Sequence, residues 1–113
     1  MMSAPKQGEI CLLRYKAEDA MPLNNKVGVV VIVGHGRPRN HGVVVDGHLH
    51  IVPAGQMQRA LPTAEALWNA HQDLCKYKQK QRTDAALPEI AGLQPLIDRL
   101  YREHHAAQVE THP

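Results

Sequence analysis

Two arginines in a glycine-bounded loop are the first residues whose type and spacing suggest a binding chemistry. Arg37 and Arg39 flank Pro38 within the stretch Gly36–Asn40. Proline and glycine restrict or redirect the backbone, and guanidinium groups held on such a loop can contact phosphate oxygens. A solvated β-hairpin loop, in which the proline and glycine only set the turn, is the alternative. The predicted contact residues at this surface are Arg37, Arg39 and Asn40, with Lys26 and Arg59 as candidates to extend it.

A second basic segment lies between Lys76 and Arg82, at the end of a predicted helix. Cations near a helix C-terminus interact favourably with the helix dipole, so a solvated helix end would account for them. The other explanation is an electrostatic contact with nucleic acid or with an acidic protein surface. The candidate residues are Lys76, Lys78, Lys80 and Arg82.

Histidine and cysteine are the residues that could bind a metal or act as a nucleophile. His48 and His50 share one strand face, with His41 close in sequence. A metal ion needs three or four ligands in a defined geometry, which this spacing does not supply, so we predict outward-facing polar positions. Cys11 and Cys75 lie in an apolar strand and on an apolar helix stripe, where a free thiol behaves as a small hydrophobe. We therefore predict no catalytic residue, no metal and no cofactor.

Composition favours one small domain with an aliphatic core. The 113 residues carry a formal charge of +2, are 43% hydrophobic, and include three Tyr, one Trp and no Phe. The mild positive charge excludes an acidic mimic of DNA and favours nucleic acid only weakly. Without a signal-peptide pattern or an apolar run of about 18 residues, we expect a cytoplasmic protein that does not enter a membrane.

The first half of the chain reads as short strands. We predict strands at 9–15 and 26–33, a loop at 34–42, and a hairpin of strands 43–46 and 48–52 joined at Asp46-Gly47, a strong hairpin signal. A 3₁₀ turn and a last short strand follow within 54–61. The 26–33 strand is apolar on both faces and must be covered on both. We expect the C-terminal helices to cover Val30 and Ile32, using Leu67, Trp68 and Leu74; a homodimer interface is the alternative cover.

The second half changes to alanine, glutamine, leucine and charged residues. Thr63 is the predicted N-cap of a helix that ends near Arg82, with Glu65 in its first turn. A second helix begins near Pro95, a favoured first-turn residue, and we expect 106–113 to be a frayed polar tail. The predicted organisation is therefore one domain over 1–113, with a barrel at 8–61 and a helical extension at 62–108.

The strand order and two local stretches resemble SH3-like barrels of the KOW type. Gly8-Glu9-Ile10, followed by 25–30 (Asn-Lys-Val-Gly-Val-Val), is similar to the KOW pattern, with Asn25 where the first glycine is usual. Asparagine also reaches left-handed backbone angles. KOW proteins include ribosomal proteins and transcription elongation factors, so the resemblance implies a contact with RNA or with a polymerase.

Weaker resemblances point to other functions. The stretch 49–59 is similar to the closing segment of such barrels, including the type II plasmid dihydrofolate reductase, whose Val-Gln-Ile-Tyr segment would align with 49–52. Since its Gln and Tyr are not reproduced, folate and NADPH binding do not carry over. The Gly-Arg-Pro of the 36–40 loop resembles an AT-hook core, and the loop resembles short proteins of phages and conjugative elements.

These observations predict an α+β protein, a small SH3-like five-stranded β-barrel followed by two C-terminal helices packed on it. The predicted function is a non-enzymatic binding module that contacts nucleic acid or a nucleoprotein complex through the basic loop. The alternatives are a protein–protein interaction module, such as a phage or mobile-element inhibitor of a host defence complex, and, less favoured, a barrel-type reductase. A homo-oligomer is compatible with each of the three.

Overall fold

The computed structural model describes residues 6–15, 22–36, 39–83, 90 and 92–111, with backbone alone at 81–83 and 110–111. Five strands come first: β1 (Ile10–Leu13), β2 (Val27–Ile32), β3 (Asn40–Val45), β4 (His48–Pro53) and β5 (Met57–Arg59), with a 3₁₀ turn at Ala54–Gln56 before β5. Two helices follow, α1 (Ala64–Thr83) and α2 (Leu93–Thr111). Most of the predicted first loop, the Arg37-Pro38 pair and the segment between the helices lie outside the described residues.

The strands form one antiparallel sheet in the order β4-β3-β2-β1-β5. The predicted α+β arrangement, five strands followed by two helices, is therefore confirmed. The expected closed barrel is not: within the described residues, no ladder of hydrogen bonds joins β4 to β5. One buried cluster nevertheless contains Val52 from β4 and Met57 from β5. The sheet thus curls around a shared interior and leaves its edges unpaired.

Strand β2 is buried on both faces, as its continuous apolar run predicts. The assignment of the faces was wrong, however. Val29 and Val31 pack in the cluster that contains α1 and α2, whereas Val30 lies in the interior cluster of the curled sheet. Ile32 is exposed at the strand end, after an irregularity in the β2–β3 register. This irregularity shifts the alternation of side chains that a simple two-residue count assumes.

The predicted tight turns are present and adopt the expected backbone. Asp46 and Gly47 both have positive φ, 52° and 82°, and connect β3 to β4 in an unbroken register from Val45↔His48 to Asn40↔Pro53. Asn25 also has a positive φ of 67°, as the asparagine in the KOW-like stretch required. Strand β3 begins at Asn40, so the loop ends at Arg39, three residues before the predicted end at Gly42.

The two helices pack on each other and on one face of the sheet. Thr63 caps α1, because its Oγ1 accepts a hydrogen bond from the Ala66 N–H at 3.1 Å. Helix α2 continues to Thr111, which corrects the expected frayed tail: Ala107 packs against the core and extends the apolar stripe of α2. Neither described helix has the length and apolarity that crossing a membrane would require.

Candidate functional site

The predicted basic contact residues occupy separate parts of the molecule. Arg39 and Asn40 are exposed at the start of β3, whereas Lys26 lies at the opposite end of the neighbouring strand β2. A six-residue strand such as β3 is about 17 Å long between its terminal Cα atoms, so these two groups are well separated. Arg59 lies on the edge strand β5. Arg37 and the side chain of Arg82 lie outside the described residues.

Three of the predicted lysines meet around the Asp46–Gly47 turn. Lys26 Nζ is 3.9 Å from Asp46 Oδ2. Lys80 Nζ donates to the Gly47 carbonyl at 3.2 Å and lies 3.0 Å from the nitrogens of the His48 ring. Lys76 packs closely against the turn: a Cβ added to Gly47 would lie 2.9 Å from the Cβ of Lys76. These contacts hold α1 against the hairpin.

An open groove of about 690 Å³ extends from this turn along α1. Its walls carry the cations Lys26 and Lys76 together with three carboxylates, Asp46, Asp73 and Glu65. Partial burial, followed by the charge of Asp46, raises the pKa of the Asp73 carboxyl above its usual value. The groove is therefore mixed in charge, and its carboxylates would repel the phosphates of a nucleic acid.

Two further predicted cations, Arg59 and Lys78, also contact groups of the chain itself. Arg59 Nε is 3.4 Å from Glu9 Oε2, and Lys78 Nζ hydrogen-bonds to the side-chain oxygen of Gln94 on α2. Lys78 thus faces the second helix and not the turn where Lys76 and Lys80 lie. The basic segment at the end of α1 is consequently distributed around the helix.

The base of the arginine loop is closed by a buried histidine. His41 is fully buried, and its Nδ1 accepts a hydrogen bond from the Gly34 N–H at 3.0 Å. Gly34 must lack a side chain, since a Cβ there would lie 1.8 Å from the Asn40 carbonyl oxygen. Burial, followed by the charges of Arg39 and His35, lowers the pKa of His41. The two sides of the loop are therefore tied together by a neutral imidazole.

Aromatic and imidazole rings from both helices form a contiguous patch, which we call the ring cluster. Its members are Trp68, His71, Tyr101, His104 and His105. The ring centroids of Trp68 are 5.4 Å from His71, 6.4 Å from Tyr101 and 5.0 Å from His104, and Tyr101 lies 4.4 Å from His105. Trp68 is 38% and Tyr101 44% exposed. The cluster therefore presents large aromatic surfaces to solvent.

Hydrogen bonds to the backbone orient two of the imidazoles in this cluster. His104 Nδ1 lies 2.7 Å from the Ala64 carbonyl oxygen, and His71 Nδ1 lies 3.1 Å from that of Ile97. A carbonyl oxygen only accepts, so both Nδ1 atoms carry the proton. Each bond joins one helix to the other, which holds the rings in fixed positions relative to each other.

The same geometry places a thiol beside a base. With its proton on Nδ1, His71 offers Nε2 as an acceptor, and Cys75 Sγ lies 3.7 Å from it. A nucleophile, a base and an orienting group are thus aligned. Partial burial, however, raises the pKa of the Cys75 thiol, and burial raises that of Cys11 to about 11. Since the thiolate is the reactive form, a raised pKa lowers the reactivity of both thiols at neutral pH.

The sequence contains the helical spacing of the ring-cluster residues, but that spacing predicts equally well a helix face that packs on the sheet. Trp68 and His71, and likewise Tyr101, His104 and His105, recur at the spacing of one helix face. Trp68 was expected to cover the sheet, but it lies on the outer side of the helix pair, while Leu67 and Leu74 face the core. Only the pairing of α1 with α2 brings the two sets of rings together.

Known proteins provide no further assignment of this site. Among the described residues, no group of three or more histidine, cysteine, aspartate or glutamate side chains has the arrangement of a metal site. No protein-family model matches the chain, and neither a curated protein nor a solved structure is significantly similar to it.

Proposed function

We propose that this protein is a non-enzymatic protein-interaction module that binds its partner through the ring cluster. The observation that carries the proposal is the exposure of Trp68 and Tyr101 within a fixed set of contacting rings. Tryptophan and tyrosine are enriched at protein interfaces, where a few such side chains contribute most of the binding energy. The hydrogen bonds of His71 and His104 across the helix pair orient the cluster in advance, which lowers the entropy cost of binding.

The distribution of charge supports a protein partner over nucleic acid at this surface. Single-stranded nucleic acid binds where rings for stacking accompany a positively charged groove. The groove beside Trp68 instead carries Asp46, Asp73 and Glu65 along with two lysines. Several predicted cations are also engaged within the chain, Lys26 with Asp46 and Arg59 with Glu9 among them.

Nucleic acid is the second candidate partner, at the other end of the sheet. Arg39 and Asn40 are exposed at the base of the loop that contains Arg37. If this loop contacts phosphate, replacing Arg37 and Arg39 by alanine should remove about two units from the slope of log affinity against log salt. The ring-cluster proposal expects no such salt-dependent binding to an oligonucleotide.

The test compares a variant of the ring cluster with a matched surface variant. Trp68→Ala and Tyr101→Ala should each weaken partner binding about 30-fold, and their combination up to about 700-fold, since interface anchors of this type cost about 2 kcal/mol each. Leu61→Ala, which truncates an exposed apolar residue outside the cluster, is the control. The partner is captured from nuclease-treated lysate, purified and titrated against each variant by calorimetry.

Trp68 provides a direct readout, because it is the only tryptophan in the chain. Binding at the ring cluster should shift the fluorescence emission of Trp68 when the purified partner is titrated in and the partner's own emission is subtracted. Equal affinity of the double variant and the Leu61→Ala control would refute the proposal. Salt-dependent binding of a single-stranded oligonucleotide, abolished by the arginine substitutions, would establish the second candidate.

A further inference from the structure

Strand β4 is the longer edge of the sheet, and no described strand pairs with its outer side. It has six residues, His48–Pro53, and lies at one end of the strand order, opposite the three-residue edge strand β5. An unpaired edge offers backbone N–H and C=O groups to another strand. Natural proteins protect such edges with lysines, bulges or proline. Strand β4 has a regular register, its single proline is its last residue, and Lys80 of α1 contacts its first residue, His48.

The register identifies which backbone groups point away from the sheet. The Ala54 N–H donates to the Arg39 carbonyl at 2.9 Å, so the positions 39 and 54 form a hydrogen-bonded pair. In an antiparallel ladder such pairs alternate with non-hydrogen-bonded ones. His50 and His48, opposite Val43 and Val45, therefore bond to β3. The backbone groups of Leu49 and Ile51 point outward at the free edge.

We propose that a second copy of this chain pairs with β4 in antiparallel orientation, with Leu49 opposite Ile51 of the partner subunit. The two-fold axis then passes beside His50. In this register Leu49 and Ile51 each donate and accept one hydrogen bond in each copy, so all four outward N–H groups of the pair find a carbonyl. A register with its two-fold axis beside Val52 places Ile51 opposite Pro53 of the partner subunit and forms only two such bonds, because proline has no N–H.

The side chains favour a second copy as the occupant. The two-fold pairing places Leu49 of each copy opposite Ile51 of the partner subunit, so the interface contains two such apolar pairs. Ile51 is 65% exposed in the single chain, whereas Leu49 already packs at the margin of the core shared with the helices. The added strand therefore extends an existing apolar surface over Ile51. This inference does not depend on the ring cluster, which lies on the helices.

Cysteine cross-linking tests the register. His50→Cys, made with Cys75→Ser so that the half-buried native thiol does not react, should form a symmetric disulfide under mild oxidation, because residues opposite each other in a non-hydrogen-bonded pair have Cα atoms about 4.5 Å apart. Gln58→Cys, in the same background, places an exposed cysteine on the opposite edge strand β5 and serves as the control. The proposal expects rapid cross-linking at position 50 and little at position 58.

Sedimentation of the full-length protein tests the interface itself. The wild type should approach twice the mass of one chain as its concentration rises, and Ile51→Lys should raise the dimer dissociation constant about tenfold or more, because the change occurs twice in each dimer. Leu61→Lys, at an exposed apolar residue outside β4, should leave it unchanged. A monomer at every concentration, a dimer unaffected by Ile51→Lys, or equal cross-linking at positions 50 and 58 would overturn the proposal.

Discussion

The buried imidazole of His41 gives a quantitative prediction about stability and pH. Its Nδ1 accepts the Gly34 N–H, so in the neutral ring the proton lies on Nε2. Nε2 is buried and has no hydrogen-bond partner among the residues that the structure describes. Protonation would turn Nδ1 into a donor and remove the bond that closes the loop. We therefore expect acid to destabilise the fold at this position.

The sign follows from the direction of the pKa shift. Burial, with the charges of Arg39 and His35, lowers the pKa of His41 in the folded chain below its ordinary value of 6.5. Well above that value both states are neutral, and His41 contributes no pH dependence. As the pH falls below it, the unfolded chain takes up the proton first, and the free energy of unfolding decreases. The total loss is about 1.4 kcal/mol for each pKa unit of the shift and levels off below the folded-state pKa.

Substitution of His41 separates its two hydrogen-bonding positions. An unpartnered buried polar group costs about 1–3 kcal/mol, whereas a typical hydrogen bond contributes about 0.5–1.5 kcal/mol. His41→Leu removes the unpartnered Nε2 but leaves the N–H of half-buried Gly34 without its acceptor, so at pH 7 the two effects should nearly offset and the variant should lie within about 2 kcal/mol of the wild type. His41→Gln keeps an acceptor for Gly34 but introduces a buried N–H₂ group, so it should lie within the same range.

Chemical denaturation at several pH values checks this reasoning. The difference in unfolding free energy between wild type and His41→Leu should change in favour of the variant as the pH falls from 7.5 to about 5. His41→Gln should show the same trend, because it too lacks the titrating group. A difference that stays constant across this range, or a loss of several kcal/mol in His41→Leu at pH 7, would refute the proposed role of the imidazole.

Three further predictions concern the loop base, the thiols and the helical layer. Gly34→Ala should destabilise the protein by about 1–3 kcal/mol in denaturant melts because its Cβ would overlap the Asn40 carbonyl, whereas Gly55→Ala, with nothing within 4 Å, should change stability by about 0.5 kcal/mol or less. Cys11, with its pKa raised to about 11, should resist a thiol reagent at pH 8 until the chain unfolds; rapid labelling in the native state would contradict its burial. Deleting the chain after Leu61 should expose the helix-facing side of the sheet and cause aggregation, measured by light scattering. A truncated protein that stays monomeric and keeps its circular dichroism would show that the sheet does not need the helices.

Local patterns were sufficient to predict the elements of the fold. The Asp46-Gly47 dipeptide between β-branched runs predicts the hairpin because both positions adopt positive φ. The continuous apolar run of β2 predicts a strand buried on both faces, and Thr63 predicts the start of α1. The face that the helices cover could not be predicted, because both faces of β2 are apolar and only the packing of α1 and α2 on the sheet selects the side of Val29 and Val31.

The candidate site was less predictable, because its parts meet only through tertiary structure. Sequence reasoning grouped cations by proximity along the chain or by residue type, but Lys26 and Arg39 lie at opposite ends of the β2–β3 pair. The ring cluster requires α1 and α2 to be antiparallel neighbours in one particular rotation. The hydrogen bond between His104 and the Ala64 carbonyl fixes that alignment, and no local sequence pattern predicts that these two residues form it.

The use of aromatic residues gives the strongest physical reason to place function on the helices. The chain has four aromatic side chains and no Phe, so each one is a large share of its capacity for tight packing. Tyr77 is buried in the core between the helices and the sheet, while valine and leucine fill most of the remaining interior. Trp68 and Tyr101 could have contributed to the same core but remain 38% and 44% exposed. A partly exposed ring forgoes stabilisation that burial would give at roughly 25 cal/mol per Å². The exposed rings of Trp68 and Tyr101 are therefore apolar surface that a partner could bury, which is the physical basis of the proposed binding surface.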